Sequence, residues 1–254
     1  MSLPIDRQVV LVSGAGRGLG AAIAEAFARE GGAVIVNYRR SREAAGALAA
    51  RLGPRARAIR ADVTDPEAVR RMAAEATEAF GAPTTLVHNA LADYRFDGDA
   101  RDTLDRLGWE AVAAQTETAL RGALNLVKAL APAMEAAGFG RIVTVGSNLV
   151  QNPVAPYHDY TAAKAALLGL TRTMAREIGS KGITVNMVSG RLLRTTDASA
   201  ATPEAVFDAI AAATPLGRVT TPGELADAAL FFASPWARAE TGQNLIVDGG
   251  LVSG

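Results

Sequence analysis

Seven short, largely β-branched apolar runs recur along the chain, at residues 8–12, 33–37, 56–61, 85–88, 141–145, 183–188 and 244–247. Longer alanine-rich segments of helical period lie between them, at 19–30, 42–52, 66–80, 109–137, 157–179, 203–213 and 222–233. Strands that alternate with helices build βαβ units, because a strand can lie parallel to its neighbour only after a crossover, and a helix is the usual one. The runs are apolar at successive positions rather than at every second one, which fits burial on both faces. We therefore expect an α/β fold: one doubly wound parallel sheet of about seven strands with helices on both faces.

At 254 residues the chain is near the upper end for one domain, and residues 1–254 are read as a single domain with no linker or repeat. Three helices are expected to start at a capping residue followed by proline: Asp65-Pro66, Thr202-Pro203 and Thr221-Pro222. The one long irregular stretch, 90–108, has the length of a connection that serves a function.

Composition removes several chemistries. Cysteine is absent, so there is no disulfide framework, no thiol nucleophile and no Cys-ligated metal, and the expectation is a reducing cytoplasm. With only two histidines, His88 and His158, a histidine metal site has little to draw on, and no metal is expected. Lys plus Arg equals Asp plus Glu at 26 each, which argues against nucleic acid or an anionic membrane as partner and for a small molecule. No apolar run has the length of a membrane span, and the N-terminus lacks the pattern of a signal peptide.

Directly after the first run stands Ser13-Gly14-Ala15-Gly16-Arg17-Gly18-Leu19-Gly20, opening a helix. Glycines in a first βα turn let the backbone approach a pyrophosphate, whose charge rests on the helix N-terminus, as in Rossmann-type folds. The spacing is G-x-x-x-G-x-G, at Gly14, Gly18 and Gly20, and Leu19 stands among them. The second strand ends in Asn37-Tyr38-Arg39-Arg40-Ser41, with no acid to take a ribose 2′-hydroxyl. Arg39, Arg40 and Arg17, with Ser41 beside them, offer donors to a 2′-phosphate, so NADPH/NADP+ is expected over NADH. Asp62-Val63 closes the third strand where an adenine would lie, and Asn89-Ala90 follows the fourth.

Tyr160 and Lys164 stand four residues apart on an expected helix, hence on one face. A phenol near its ordinary pKa of about 10 needs a cation to stabilise its phenolate, and Lys164 supplies one. Ser147 follows the fifth strand, where a parallel sheet binds ligands, and can donate to a substrate carbonyl. His158 and Asp159 read as helix-start charges, and His88 as a packed, hydrogen-bonded side chain.

Taken jointly, Ser13 to Gly20, Asp62-Val63, Asn89-Ala90, Ser147 and Tyr160-x-x-x-Lys164 resemble the short-chain dehydrogenase/reductase family over nearly the whole chain. The segments 36–39, 182–186 and 241–250 are most similar to the 3-oxoacyl-acyl-carrier-protein reductases of that family, and 89–93 with 96–100 also resemble a branch so described. The resemblance implies that Tyr160 donates a proton, Ser147 positions the carbonyl and Lys164 bonds the nicotinamide ribose. It also implies a homotetramer, a place in fatty acid biosynthesis, and an acyl thioester as substrate, with an acyl carrier protein as its carrier.

The sequence departs from the family pattern in several places. Leu91 stands where the family has glycine after Asn89-Ala90. The relay asparagine falls at Ala119, so that either Gln115, Thr116 or Thr118 substitutes or the relay is weakened. Ser189-Gly190 replaces a Pro-Gly, after which Leu192 should offer its backbone to the carboxamide and Thr195 follow it. The two basic residues that dock a carrier protein map to Lys181 and Gly138. A reductase of some other carbonyl (a sugar, pteridine or xenobiotic) and a nucleotide-binding regulator without turnover are the alternatives.

Overall fold

A computed structural model describes residues 2–92, 94–97, 101–194 and 196–252. Its strands are β1 (Val9–Ser13), β2 (Ala33–Tyr38), β3 (Ala56–Arg60), β4 (Thr85–His88), β5 (Gly140–Ser147), β6 (Ile183–Gly190) and β7 (Asn244–Val247). They form one seven-stranded sheet in the order β3-β2-β1-β4-β5-β6-β7, with every neighbouring pair parallel. The helices are α1 (Gly18–Arg29), α2 (Arg42–Leu52), α3 (Pro66–Phe80), α4 (Trp109–Thr116), α5 (Gly122–Ala137), α6 (His158–Ile178), α7 (Glu204–Ala213) and α8 (Pro222–Ala233).

Side-chain alternation explains why β1 and β2 are buried throughout. Val10, Val12, Val34 and Val36 face one layer with Ile23 and Phe27 of α1 and Leu225 of α8. Leu11 and Ile35 face the other with Met72 of α3, Leu126 of α5 and Met174 of α6. Both clusters are closed to water, so the sheet is the middle of three layers. Leu11 is 0 % exposed in the central strand, and Leu11→Ala is expected to cost about 2–5 kcal/mol. Urea unfolding monitored by circular dichroism would show this as a lower midpoint at unchanged slope.

Three expectations are corrected. The helix expected over 109–137 is broken by a π-helical turn, Glu117–Arg121, between α4 and α5. Thr202 does not cap α7. Pro203 occupies the N-cap with extended backbone, and the Thr202 hydroxyl instead donates to the Phe96 carbonyl at 2.9 Å. Strand β5 runs on through Gly146 and Ser147, because β6 continues beside it to Gly190. The other two caps stand as expected: Asp65 accepts from the N–H groups of Glu67 and Ala68, and Thr221 forms a capping box with Glu224.

Candidate active site

Strand order reverses direction between β1 and β4, so the loops at their C-terminal ends part and leave a crevice. The glycine-rich turn lies there. Gly14 has φ +64°, and a Cβ on it would meet the Ala90 backbone at 3.0 Å. A Cβ on Gly20 would stand 2.3 Å from the Gly14 carbonyl oxygen, so neither position accepts a side chain. The N–H of Gly14 donates to Asn37 Oδ1 and that of Ala15 to the Asn37 carbonyl, which fixes the start of the turn. Helix α1 then opens at Gly18, with Leu19 and Gly20 in its first turn and no side-chain cap from Arg17. Uncapped helix N–H groups beside a glycine cradle fit the pyrophosphate of a dinucleotide.

Asn37 itself was not singled out by sequence reasoning. The signal was available, since a polar residue inside a fully buried apolar strand must have a structural partner. Its amide also donates to the carbonyls of Ile59 and Ala61, tying β2 to β3.

At the end of β2 the structure gathers Arg39, Ser41 and Asp62. A Cβ on Gly16 would collide with Ser41 Oγ at 2.3 Å, which shows how closely Ser41 approaches the glycine turn. Arg39 lies 3.6 Å from Asp62, and both are over a third exposed. Burial pushes the Asp62 carboxyl up, but hydrogen bonds from Thr64 and the Arg39 charge more than offset it, leaving it below its ordinary value. Arg40 is exposed at the turn into α2. The Val63 side chain packs against Gly122 and its carbonyl accepts from Asn125, so its backbone N–H is what it can offer an adenine. Asn125 too was missed, because nothing in the sequence marks a helix polar residue as facing a strand end.

Ser147, Tyr160 and Lys164 come together at the C-terminal end of β5 and are 4 %, 7 % and 4 % exposed. Ser147 caps a short 3-10 turn by accepting from Leu149 N, and its hydroxyl is near enough to the Tyr160 phenol to oppose the upward push of burial on it. Lys164 donates to the Val145 carbonyl at 2.7 Å, with its ammonium 5.5 Å from the Tyr160 ring centroid. The expected lowering of the tyrosine pKa is corrected: burial drives the phenol up to about 12, with only the Ser147 bond opposing. Lys164 is held to the Val145 carbonyl, and burial brings its own pKa down to about 8.

His88, at the end of β4, is packed and hydrogen-bonded, as expected. Ser13 Oγ already accepts from the N–H groups of Asn89 and Ala90, so its own proton goes to His88 Nδ1 at 3.1 Å. The proton on His88 therefore sits at Nε2 and donates to the Ala119 carbonyl at 3.0 Å, inside the π-helical turn. Asn89 completes the join, its amide donating to the carbonyls of Ser13 and Gly14. Burial first, and the Lys164 charge second, hold His88 down to about 4.

The sign of the resulting pH effect follows. The unfolded histidine, with its higher pKa, takes a proton first as pH falls from about 6.5, so stability is full above that pH and declines toward about 4. The decline is expected to approach roughly 3 kcal/mol. Urea unfolding at about pH 7 and about pH 4.5 checks it, and His88→Asn is expected to flatten the difference.

Of the remaining sequence readings, Leu91 is half-buried and packs against the cluster of Tyr94, Leu149 and Tyr160. Leu192 lies half-buried just beyond β6. Thr195 lies outside the described residues, as do Asp93 and residues 98–100. Asp159 is in the first turn of α6 but is not a solvated charge: it is 7 % exposed and accepts from the Tyr94 hydroxyl. Of the residues considered in place of the relay asparagine, Gln115 and Thr118 are buried and Thr116 is half-buried. Gln115 Oε1 has no hydrogen-bond partner. Lys181 is ion-paired with Glu135 at 2.9 Å, and Gly138 ends α5 with a left-handed backbone. Among the described residues no helix is long and apolar enough to cross a membrane.

The family model described as enoyl-(acyl carrier protein) reductase matches residues 14–252. A 3-oxoacyl-acyl-carrier-protein reductase FabG of Vibrio cholerae is 37 % identical over 248 residues, covering 97 % of this chain and 98 % of that protein. Among solved structures, a gluconate 5-dehydrogenase of Burkholderia cenocepacia in complex with NADP and tartrate superposes with a TM-score of 0.87 at 31 % identity, covering 97 % of this chain and 98 % of the other. A short-chain dehydrogenase of the same organism in complex with NADP gives 0.85 at 33 % identity, with 98 % and 99 % covered. Relatives that share about a third of their residues thus match this chain over nearly its full length, and the chain belongs to the short-chain dehydrogenase/reductase family of oxidoreductases.

Proposed function

We propose that this chain is an NADPH-dependent carbonyl reductase whose substrate is a 3-oxoacyl thioester, converted to the 3-hydroxyacyl form. The observation that carries the reading is the convergence of Ser147, Tyr160 and Lys164 at the sheet end that also holds the glycine turn. The FabG relatives support the substrate class, and the NADP of the two structural relatives supports the cofactor.

Gly14, Gly18, Leu19 and Gly20 would seat the pyrophosphate, and Arg17, Arg39, Arg40 and Ser41 the 2′-phosphate. Asp62 and Val63 would flank the adenine, with Asn89, Ala90, Leu192 and Thr195 along the nicotinamide half. The bound cofactor supplies the hydride for the carbonyl carbon. Ser147 and Tyr160 direct their hydroxyls at the carbonyl oxygen, and Tyr160 gives it the proton. A phenol held near 12 is fully protonated at neutral pH, the state a donor for reduction requires. Lys164 spends one of its three donors on Val145 and has two for the ribose and for the path that returns a proton to Tyr160.

Gln115 is our choice for the missing relay residue, because its carbonyl oxygen is buried without a partner on a helix packed against α6. Gln115→Leu is expected to lower kcat about tenfold with little change in KM, less than the roughly 10²–10⁴-fold of a group that transfers the proton itself, because a relay residue acts through Tyr160. Steady-state kinetics across pH would read it.

As carrier of the thioester we favour coenzyme A over an acyl carrier protein, because of the two positions that map to carrier docking Lys181 carries a charge and Gly138 offers none. We further propose a cytoplasmic homotetramer, of which the exposed apolar Trp109 on α4 (73 %) and Leu124 on α5 (39 %) support association through these helices. NADPH oxidation with acetoacetyl thioesters of both carriers, beside unrelated ketones, tests the proposal. Turnover of ketones alone would remove the thioester reading, and tight NADPH binding without any turnover would leave only a regulator.

A further inference from the structure

The three reacting groups lie beneath an aromatic roof. The Tyr94 ring stacks on the Tyr160 ring, with centroids 4.9 Å apart and planes inclined by 29°. Phe96 meets Tyr160 edge-on at 5.3 Å, and Tyr157 closes edge-on against Tyr94 and Phe96 at 6.0 and 5.6 Å. Three of the chain's four tyrosines are in this cluster.

Tyr94 is held in place from several directions. Its hydroxyl donates to Asp159 Oδ1 at 3.3 Å, in the residue that directly precedes Tyr160. Burial and the Asp159 charge push the Tyr94 phenol above its ordinary value, so it stays a donor. The Arg101 guanidinium lies 4.2 Å from the Tyr94 ring centroid, 3.8 Å from Asp159 Oδ2, and donates to the Arg95 carbonyl at 2.8 Å. On the other flank, Phe96 N–H donates to the Ala198 carbonyl at 2.8 Å and Thr202 donates to the Phe96 carbonyl. The segment 94–97 is thus tied both to the first turn of α6 and to the chain beyond β6.

We propose that Tyr94, fixed by Asp159 and Arg101, is the specificity-determining residue of this site, limiting the length of the acyl group beside the reacting carbonyl. The inference rests on the reductase reading above. A carbonyl oxygen within reach of both Ser147 and Tyr160 has its substituents against the rings that cover Tyr160. A short 3-oxoacyl group asks the smaller displacement of the rings stacked on Tyr160. A long one requires Tyr94 to leave Asp159 and Arg101, losing its hydroxyl's bond to the carboxylate and its ring's contact with the guanidinium. The site therefore selects short acyl groups.

The test compares kcat/KM for acetoacetyl and 3-oxooctanoyl coenzyme A in wild type, Tyr94→Phe and Tyr94→Ala. Wild type is expected to favour the short substrate, and Tyr94→Ala to raise the long-to-short ratio about tenfold or more, the scale of a pocket that loses a large group. Tyr94→Phe keeps the ring and the packing while losing the Asp159 bond, and should shift the ratio less. A ratio unchanged in Tyr94→Ala, or a wild-type preference for the long chain, overturns the proposal.

A second readout needs no turnover. Nitration by tetranitromethane, mapped by peptide mass spectrometry, should spare Tyr160 in wild type and modify it in Tyr94→Ala. Equal modification in both would overturn the roof even if thioesters are reduced. Protection in wild type with release in the variant, but no thioester turned over, would sustain the roof and defeat the reductase reading.

Discussion

Tyr160→Phe is expected to lower kcat for carbonyl reduction by roughly 10²–10⁴-fold, the contribution of a positioned general acid, while NADPH binds as before. The phenylalanine keeps the ring that Tyr94 and Phe96 pack against, so the fold and the cofactor crevice should survive. What is lost is the hydroxyl that gives the proton. Stopped-flow NADPH oxidation separates the outcomes: a loss confined to KM would mean that Tyr160 only binds substrate, and undiminished turnover would remove it from the mechanism. The pH profile adds a second reading. Lys164 gives up its proton near pH 8, so wild-type turnover should decline above that pH as the cation beside the phenol disappears.

Much of this arrangement is legible in the sequence, because local rules and tertiary structure agree there. The β-branched runs are strands, the glycine turn meets the first helix, and the Tyr160–Lys164 spacing is helical. Long-range contact decides the rest. Nothing local distinguishes Glu117–Arg121 from ordinary helix, and the carbonyl of Ala119 within that turn is held by a histidine 31 positions earlier in the chain. Asp159 reads as a first-turn charge, since capping patterns are blind to a tyrosine arriving from residue 94. The same holds for the pKa of Tyr160: four-residue spacing brings Lys164 onto the same face, but says nothing of the aromatic roof that excludes water. Asn37 is the opposite case, a buried polar residue whose partners could have been sought from the strand pattern alone.

Arg39→Asp combined with Arg40→Ala is expected to reverse the cofactor preference, changing the NADPH-to-NADH ratio of kcat/KM by roughly 10²–10³-fold. Each charge-assisted hydrogen bond to a phosphate contributes about 1.5–3 kcal/mol, and about 1.4 kcal/mol is tenfold in affinity. The new carboxylate at position 39 also repels a 2′-phosphate and can accept from a free 2′-hydroxyl, so the two effects act in one direction. Arg39 lies 3.6 Å from Asp62, and binding a phosphate therefore competes with a partly exposed ion pair. Such pairs are worth about 0–1 kcal/mol, too little to cancel the phosphate contact. Ser41, pressed against Gly16, and Arg17 remain in the double variant and should keep some affinity for NADPH. The preference is measured with both reduced cofactors on one carbonyl substrate at several salt concentrations. An electrostatic origin requires the wild-type preference to weaken as salt rises, and a preference indifferent to both salt and the double substitution would place the 2′-phosphate elsewhere.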